Sequence, residues 1–278
     1  MTASAAQVPQ APKIVPMRIV IGLLVGYALL CALVYWGQRS LMYFPGRADV
    51  TKLPAGLSQG YSSRALVIEP LDPVRATAIL FHGNAGSALD RLFYVDAFAR
   101  RGIRLILAEY PGYGWRDGPI SEQALVDDGA ALYSEVRAAL PAAQPIFLIG
   151  ESLGTGVAVQ IAARQTRAPA KLILITPYAS IREVASEKFR FLPVRWLLKD
   201  SFASRDFLPK VSSEVTLVIA GADEVLGPQT GRDLAEVAKA NAVKSPTVIE
   251  LNGAGHNDWV LYVDDPFWDG ILGVPGAR

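Results

Sequence analysis

The longest run of apolar residues lies near the N-terminus of the chain. Residues Ile19 to Trp36 include no charged or strongly polar side chain. As a helix, this run extends about 27 Å, which is close to the thickness of the hydrocarbon core of a bilayer. Tyr35 and Trp36 stand where interfacial aromatic residues are expected. The pattern predicts a single transmembrane anchor over residues 19–37, preceded by an N-terminal tail over residues 1–18.

A cleaved signal peptide is the alternative interpretation of this run. The run is long for a signal sequence, however, and no small-x-small cleavage site follows it. The flanking basic residues, which do not separate the two orientations under the positive-inside rule, are Lys13, Arg18, Arg39, Arg47 and Lys52. We expect the part of the chain that follows the anchor to lie on the non-cytoplasmic side. Gly22 and Gly26 form a G-x-x-x-G pair, which is too weak a pattern to assign an oligomeric state.

After the anchor, short apolar runs alternate with amphipathic stretches. The predicted strands are Ala65–Glu69, Thr77–Phe81, Arg104–Glu109, Ile146–Ile149, Lys171–Ile175, Thr216–Ala220 and Thr247–Glu250. The predicted helices are Ala88–Arg101, Glu122–Ala139, Gly154–Arg164, Thr230–Asn241 and a final one after His256. The strand runs are continuously apolar, which is typical of strands buried on both faces. We therefore predict one α/β domain over residues 38–278, with a mainly parallel sheet and helices on both of its faces.

Composition narrows the function classes. The 278 residues carry 27 basic and 26 acidic side chains, and this balance gives no support for nucleic-acid binding. The single cysteine, Cys31, excludes an intrachain disulfide. The two histidines, His82 and His256, are too few for a zinc cluster. We expect neither a metal nor a cofactor.

The segment Gly150-Glu151-Ser152-Leu153-Gly154 follows a predicted buried strand and leads directly into a predicted helix. A strand, a tight turn and a helix with Ser at the apex is the arrangement of a nucleophile elbow. The flanking glycines are needed because larger side chains would collide with the turn and the adjacent strand. This context predicts that Ser152 is a catalytic nucleophile.

A serine hydroxyl needs a general base, and the base needs an orienting acid. His256 follows the last predicted strand and is the candidate base, whereas His82 lies in an earlier glycine-rich turn and is interpreted as structural. Asp223, directly after a strand and Gly-Ala, is the candidate acid. Glu224 and Asp258 are the competing carboxylates. Ser, Asp and His thus occur in the order of an α/β-hydrolase triad.

The negative oxygen that forms during acyl transfer needs two backbone N–H donors. Leu153, which follows the nucleophile, is expected to provide one of them. Asn84, in the turn after His82-Gly83, is expected to provide the other, with Ala85 as the alternative. Leu153 also begins a helix, whose dipole favours negative charge there.

Residues 180–207 form an insertion between two core strands that is longer than a simple crossover helix. Aromatic and aliphatic residues alternate with basic ones in its second half, from Lys188 to Lys199. The segment is either a small cap that accepts an acyl chain or touches lipid headgroups, or an amphipathic helix that packs on the core beside the active site.

Taken together, the motifs resemble those of membrane-anchored α/β-hydrolase-domain serine hydrolases, a group of bacterial anchored hydrolases with more distant eukaryotic depalmitoylase and lysophospholipase relatives. The segments that carry the resemblance are Gln38–Pro45, His82–Gly86, Gly112–Gly114, Gly150–Gly154, Gly221–Asp223 and Gly255–Asp258. The resemblance implies an α/β-hydrolase fold with a small cap. Its motifs are specific for fold and triad and leave the substrate open.

We therefore expect a membrane-tethered serine hydrolase that cleaves carboxylic ester or thioester bonds through an acyl-enzyme intermediate. Its expected partners are a small-molecule or lipid-like acyl substrate and the lipid bilayer. A serine peptidase acting on short peptides has the same order of triad residues and is one alternative. A non-catalytic, membrane-anchored scaffold that keeps the fold is the other.

Overall fold

An eight-stranded sheet forms the centre of the computed structural model, which describes residues 16–241 and 245–273. The strands of this part of the chain are β1 (Phe44–Pro45), β2 (Leu57–Gly60), β3 (Ala65–Ile68), β4 (Ala76–Phe81), β5 (Ala85–Gly86), β6 (Ile103–Ala108), β7 (Ile146–Glu151), β8 (Lys171–Ile175), β9 (Glu214–Ala220) and β10 (Thr247–Leu251). The strand order is β10-β9-β8-β7-β4-β6-β3-β2, and β1 pairs separately with β5. Neighbours from β10 to β6 are parallel, whereas β3 and β2 are antiparallel additions at one edge. The prediction of a mainly parallel sheet is confirmed.

Helices cover both faces of the sheet. They are α1 (Met17–Met42), α2 (Val95–Ala99), α3 (Glu122–Ala139), α4 (Leu153–Arg164), α5 (Ile181–Lys188), α6 (Val194–Leu197), α7 (Ser204–Phe207), α8 (Pro228–Asn241) and α9 (Asp265–Leu272). Helices α3, α4 and α8 share one hydrophobic cluster, and α2 and α9 share a second cluster on the opposite face. Successive residues of β4 alternate between the two clusters and all six are buried, which explains the continuously apolar strand runs.

The helix predicted over residues 88–101 is a 3₁₀ segment, Ala88–Tyr94, followed by the short α2. Its first turn is closed by a capping box in which Asp90 bonds back to Ser87. Arg91 and Tyr94, three residues apart, both contact the carboxylate of Glu151. A 3₁₀ helix has three residues per turn and therefore aligns such a pair on one face.

The segment that follows the predicted anchor, Gln38 to Pro45, begins as helix in the structure. Helix α1 continues through this segment to Met42, beyond the predicted anchor boundary at residue 37, and β1 follows almost at once. Gln38 is buried, so the end of α1 already belongs to the packed part of the molecule. Residues 1–15 of the predicted N-terminal tail lie outside the described residues.

The predicted cap, residues 180–207, connects β8 to β9 through the short helices α5, α6 and α7. Beyond His256, the single helix that the sequence predicted is instead a 3₁₀ turn, Trp259–Tyr262, and the separate helix α9. Asp264 caps α9 by accepting a hydrogen bond from Phe267 N–H, and a proline follows at the start of the helix. These local signals divide the two helical segments.

Candidate active site

Ser152 lies at the apex of a sharp turn between β7 and α4. Its backbone has φ 50° and ψ −117°, in the left-handed half of conformational space that residues with a Cβ rarely occupy. Hydrogen bonds hold it on both sides: Ser152 N–H donates to Ile175 O at 2.9 Å, and the Thr155 hydroxyl donates to Ser152 O at 2.7 Å. The sharp turn raises the side chain above the carboxyl edge of the sheet, as an elbow requires.

Both glycines of the elbow stand against backbone atoms. A Cβ on Gly150 would lie 2.4 Å from Gly154 O, and a Cβ on Gly154 would lie 2.0 Å from Phe81 O in β4. No side-chain rearrangement relieves contacts with backbone. The glycines are therefore required by the crossing of α4 over the adjacent strand.

The structure brings Ser152, His256 and Asp223 into one hydrogen-bonded chain. Ser152 Oγ lies 2.8 Å from His256 Nε2, and His256 Nδ1 lies 2.7 Å from Asp223 Oδ2. Asp223 and His256 are both buried, and Ser152 is partly accessible. With Nδ1–H donating to the carboxylate, Nε2 is left as the acceptor for the serine hydroxyl.

The environment of Asp223 favours its charged form. Burial of the carboxyl acts to raise its pKa, but the hydrogen bond from His256, assisted by the N–H groups of Leu226 and Val225, outweighs burial and lowers the pKa of Asp223 below its usual value. These two N–H groups donate to Asp223 Oδ1 at 2.7 and 2.9 Å, leaving Oδ2 to His256.

The two competing carboxylates bond to backbone near the histidine. Glu224 accepts the backbone N–H of His256 at 3.2 Å, and Asp258 accepts the N–H of Gly255 at 2.6 Å. Asp223 is therefore the carboxylate that contacts the imidazole. Glu224 and Asp258 hold the loop that carries His256.

The two candidate oxyanion donors lie on either side of the elbow. Within residues 16–241 and 245–273, neither the backbone N–H of Leu153 nor that of Asn84 has a hydrogen-bond acceptor. The Asn84 carbonyl accepts Phe44 N–H at 2.9 Å and the Tyr113 hydroxyl at 2.9 Å, and the Asn84 side chain donates to Met42 O at 2.8 Å. These bonds fix the turn, and leave its N–H available.

His82 orients this turn, as a structural histidine would. Its Nδ1 faces Gly83 O at 2.8 Å and so acts as a donor, while Nε2 lies 3.0 Å from Glu109 Oε1. The described peptide bonds are all trans, so Gly83 O and Asn84 N–H point in opposite directions. The bond to Gly83 O thus sets the direction of Asn84 N–H. Sequence reasoning missed Glu109, although it ends the strand adjacent to the one that His82 follows.

Glu151, the residue before Ser152, is a second residue that supports the candidate site and that the sequence did not reveal. Its carboxylate lies 3.0 Å from Arg91 Nε and accepts the Tyr94 hydroxyl at 2.9 Å. Burial and the neighbouring Glu151 charge raise the pKa of Tyr94, so its phenol remains a donor. The pair at three-residue spacing fixes the end of β7 from the face opposite α4.

A cavity of about 310 Å³ lies between α1, the cap and the loop that follows β9. Aliphatic and aromatic side chains dominate its lining, among them Val34, Leu41, Ile181, Val184, Leu192 and Leu226. Asn84 lines the same cavity, and Leu226 is one of the two residues whose N–H groups bind Asp223. The cavity is therefore bordered by two residues that stand next to the hydrogen-bonded chain, although Ser152, Asp223 and His256 do not line it.

The cap is fastened to α1 by polar contacts. Gln38 Nε2 donates to Leu197 O at 2.9 Å, and Gln38 Oε1 accepts Lys199 N–H at 2.8 Å. Nine residues before Trp36, the Tyr27 hydroxyl donates to Phe191 O at 2.8 Å. Among the described residues, one helix is long and apolar enough to cross a membrane, and it is α1. None of the residues in its most apolar window is buried.

Comparison with known proteins decides the family. The sequence model of the serine aminopeptidase S33 family matches residues 72–215, more than half of the chain. An uncharacterised protein of Mycobacterium tuberculosis is 32% identical over 237 residues, which cover 80% of this chain and 81% of that protein. The chain belongs to this α/β-hydrolase family. The resemblance inferred from its motifs is confirmed.

A further relative and a solved structure are also similar to this chain. A lysophosphatidylserine lipase of Danio rerio is 30% identical over 178 residues, which cover 58% of this chain and 46% of the lipase. Among solved structures, TT1662 from Thermus thermophilus superposes with a TM-score of 0.64 at 18% identity, over 81% of this chain and 100% of that one. The α/β-hydrolase fold predicted from the sequence is confirmed, and family membership supports a hydrolase activity.

Proposed function

We propose that the protein is a membrane-tethered serine hydrolase that cleaves carboxylic ester or thioester bonds. The observation that carries this proposal is the unbroken chain from Ser152 Oγ through the His256 ring to Asp223, with distances of 2.8 and 2.7 Å. Both are hydrogen-bond distances between a nucleophile, a base and an orienting acid. The strained backbone of Ser152 supports the same role.

In the acylation step, Ser152 Oγ attacks the substrate carbonyl carbon and His256 Nε2 takes the hydroxyl proton. The imidazolium that forms is stabilised by Asp223. The former carbonyl oxygen becomes negative and is bound by the N–H groups of Leu153 and Asn84. When the carbonyl re-forms, the bond to the alcohol or thiol breaks, and His256 returns the proton to that leaving group.

In the deacylation step, water takes the place of the leaving group. His256 Nε2 removes a proton from water as its oxygen attacks the acyl carbon, and the same two N–H groups bind the second oxyanion. Collapse of that intermediate releases the carboxylic acid and returns the proton to Ser152 Oγ. No step requires a cofactor.

The apolar cavity favours an acyl substrate. A cavity of about 310 Å³ falls at the lower end of the range of ligand pockets, roughly 300–1,000 Å³. The similar lipase of Danio rerio acts, by its description, on a lipid ester. The second candidate is a serine peptidase, which the description of the matching family favours. An aminopeptidase must bind a cationic amine, and the charged residue of this cavity's lining is a cation, Lys188.

Tethering by α1 is the membrane part of the proposal. Its length, its apolar surface and its unburied window support a bilayer span, with the catalytic domain on the non-cytoplasmic side. Protease protection in sealed vesicles tests the orientation: a protected catalytic domain in inside-out vesicles is expected, and digestion of that domain there would reverse the assignment.

Labelling with a fluorophosphonate probe tests the catalytic proposal. We expect the detergent-solubilised wild type to be labelled, and Ser152→Ala and His256→Ala to remain unlabelled, because the probe reacts only with an activated serine. Turnover of p-nitrophenyl esters, acyl thioesters and peptide p-nitroanilides then separates the substrate classes. A folded wild type that does not react would favour the non-catalytic scaffold.

A further inference from the structure

We propose that α1 is a wall of the substrate site as well as a tether, and that the acyl chain of a single-chain lipid ester enters the cavity sideways from the leaflet around α1. This inference rests on the proposed function, because it takes both the bilayer span and acyl hydrolysis from it. It adds the path by which the acyl chain enters and the residues that select its length.

The first observation is the set of α1 residues in the cavity lining. Val34, Gln38 and Leu41 are spaced by four and three residues and so lie on one face of the helix. Leu33, beside them in sequence, points away and is 72% exposed. In the final turns of α1, one side of the helix therefore lines the cavity, and another side is exposed.

The second observation is the depth of the cap along α1. The Tyr27 hydroxyl contacts Phe191 in the cap, and Tyr27 lies nine residues, or about 13 Å along the axis, before the aromatic end of the apolar run at Trp36. A bilayer crossed by Ile19 to Trp36 includes the level of Tyr27. The tip of the cap must then lie inside the same leaflet.

The surface of the cap tip agrees with that position. Phe189, Phe191 and Trp196 are exposed aromatic side chains, which water would disfavour and a leaflet would accommodate. Arg190 and Arg195 stand beside them and are also exposed. Arg195 stands near Leu197, which bonds Gln38 just beyond the aromatic end of the apolar run, so its guanidinium can reach the headgroup layer.

The third observation is that the cavity extends from these features to residues that stand next to the triad. It lies between α1 and the cap at one end, and it includes Asn84 and Leu226 at the other. An acyl chain held between Val34 and the cap would place its carbonyl next to the oxyanion donors. The modest volume suits one chain better than the two chains of a diacyl lipid.

Blocking the wall from the α1 side tests the route. In liposomes, we expect Val34→Trp to lower the ratio of kcat/KM for p-nitrophenyl laurate to that for p-nitrophenyl butyrate by about tenfold or more, since the indole fills space that only the longer chain needs. Leu33→Trp adds the same side chain at an exposed position of α1 that does not line the cavity, and it should keep the wild-type ratio.

Fluorophosphonate labelling distinguishes the possible failures. A labelled Val34→Trp protein with an unchanged laurate-to-butyrate ratio would overturn the inference and leave the proposed function intact. A wild type that is never labelled would overturn the proposed function, and the inference with it. A diacyl phospholipid cleaved as fast as its monoacyl form would overturn the assignment of a single-chain substrate.

Depth measurement keeps the inference testable if Val34→Trp does not fold. In a Cys31→Ser background, Phe191→Cys and the fully exposed Leu71→Cys are labelled with an environment-sensitive fluorophore. We expect nitroxides on lipid acyl chains to quench the label at position 191, and aqueous iodide to quench the label at position 71. Quenching of position 191 by iodide alone would place the cap in water and refute entry from the leaflet.

Discussion

The position of Ser152 is fixed by three separate sets of contacts, each from a different part of the chain. Its backbone is fixed by Ile175 and Thr155, its hydroxyl by His256, and the preceding residue, Glu151, by contacts from the 3₁₀ segment. A non-glycine residue in the left-handed region is costly and persists only where its surroundings determine it. This redundancy keeps Ser152, the proposed nucleophile, in place before substrate arrives.

The geometry around His256 predicts a large loss of activity in Asp223→Asn. An amide can offer N–H to Nδ1, which favours the tautomer whose Nε2–H cannot accept the serine proton. We expect kcat to fall by about 10³- to 10⁴-fold, with a smaller change in KM. Steady-state kinetics on a p-nitrophenyl ester measures both, and a loss confined to KM would argue against an orienting role.

Asp223 also links stability to pH. Its folded-state pKa is lowered, so its charge stabilises the native state above the unfolded pKa of about 3.9, and that contribution is lost as the pH falls through the folded pKa. The difference in unfolding free energy between wild type and Asp223→Asn should therefore shrink below about pH 4. Asp117→Asn, at a side chain that is 97% exposed, is the control and should follow the wild type in thermal unfolding.

At the level of single residues, order and spacing along the chain were sufficient to select the residues of the hydrogen-bonded chain. Ser152, Asp223 and His256 each follow a strand, and parallel strands bring such positions to one edge. Glu109 and Glu151 gave no comparable signal. Their roles depend on which side chains face them across neighbouring elements, and that is determined by tertiary packing.

Among the elements, the crossing of α4 over β4 is the tightest contact of the candidate site. Gly154→Ala would place a methyl group 2.0 Å from Phe81 O, and we expect destabilisation of about 3 kcal/mol or more with loss of fluorophosphonate labelling. Gly270→Ala, in helix α9 with nothing near its Cβ position, should be neutral or stabilising by up to about 1 kcal/mol. Unfolding in detergent compares the two; equal stabilities would refute the close-crossing argument.

The junction of α1 with the cap contains a partly buried ion pair. Arg39 donates two hydrogen bonds to Asp200, at 2.8 and 3.2 Å, and Asp200 is buried although Arg39 is 45% exposed. We expect Arg39→Ala to cost about 1–2 kcal/mol, less than a fully buried pair because solvent screens the arginine. Arg47→Ala, which breaks an exposed pair with Asp117, should change stability by less than about 0.5 kcal/mol in the same assay.

The sequence predicted the buried strands better than the ends of the helices. Apolar runs such as Lys171–Ile175 coincide with the observed strand because burial on both faces leaves a strong pattern. The continuation of α1 to Met42 was not predicted, since Gln38 and Arg39 look like a polar link until their partners in the cap are known. The short strands β1 and β5 carry no periodicity to detect.

For the whole molecule, the direct attachment of α1 predicts a response to bilayer thickness. With α1 across the membrane as proposed, mismatch is relieved by helix tilt, and tilt must move the cap and the domain with it. We expect activity in dimyristoleoyl, dioleoyl and dierucoyl phosphatidylcholine vesicles to differ by about threefold or more, and to converge in detergent. A flat profile across the three lipids would indicate that helix and domain move independently.

Because no flexible linker separates α1 from the domain, the attachment also affects how the protein would encounter its substrate. Gln38 and Arg39 bond α1 to the cap, so the domain cannot swivel relative to that helix. The reactive hydroxyl would then remain at one height and facing one direction while the molecule drifts laterally. If α1 spans the bilayer and the substrate is an ester, as proposed, the search for substrate becomes two-dimensional, and most of the orientational freedom lost in a productive collision is already absent.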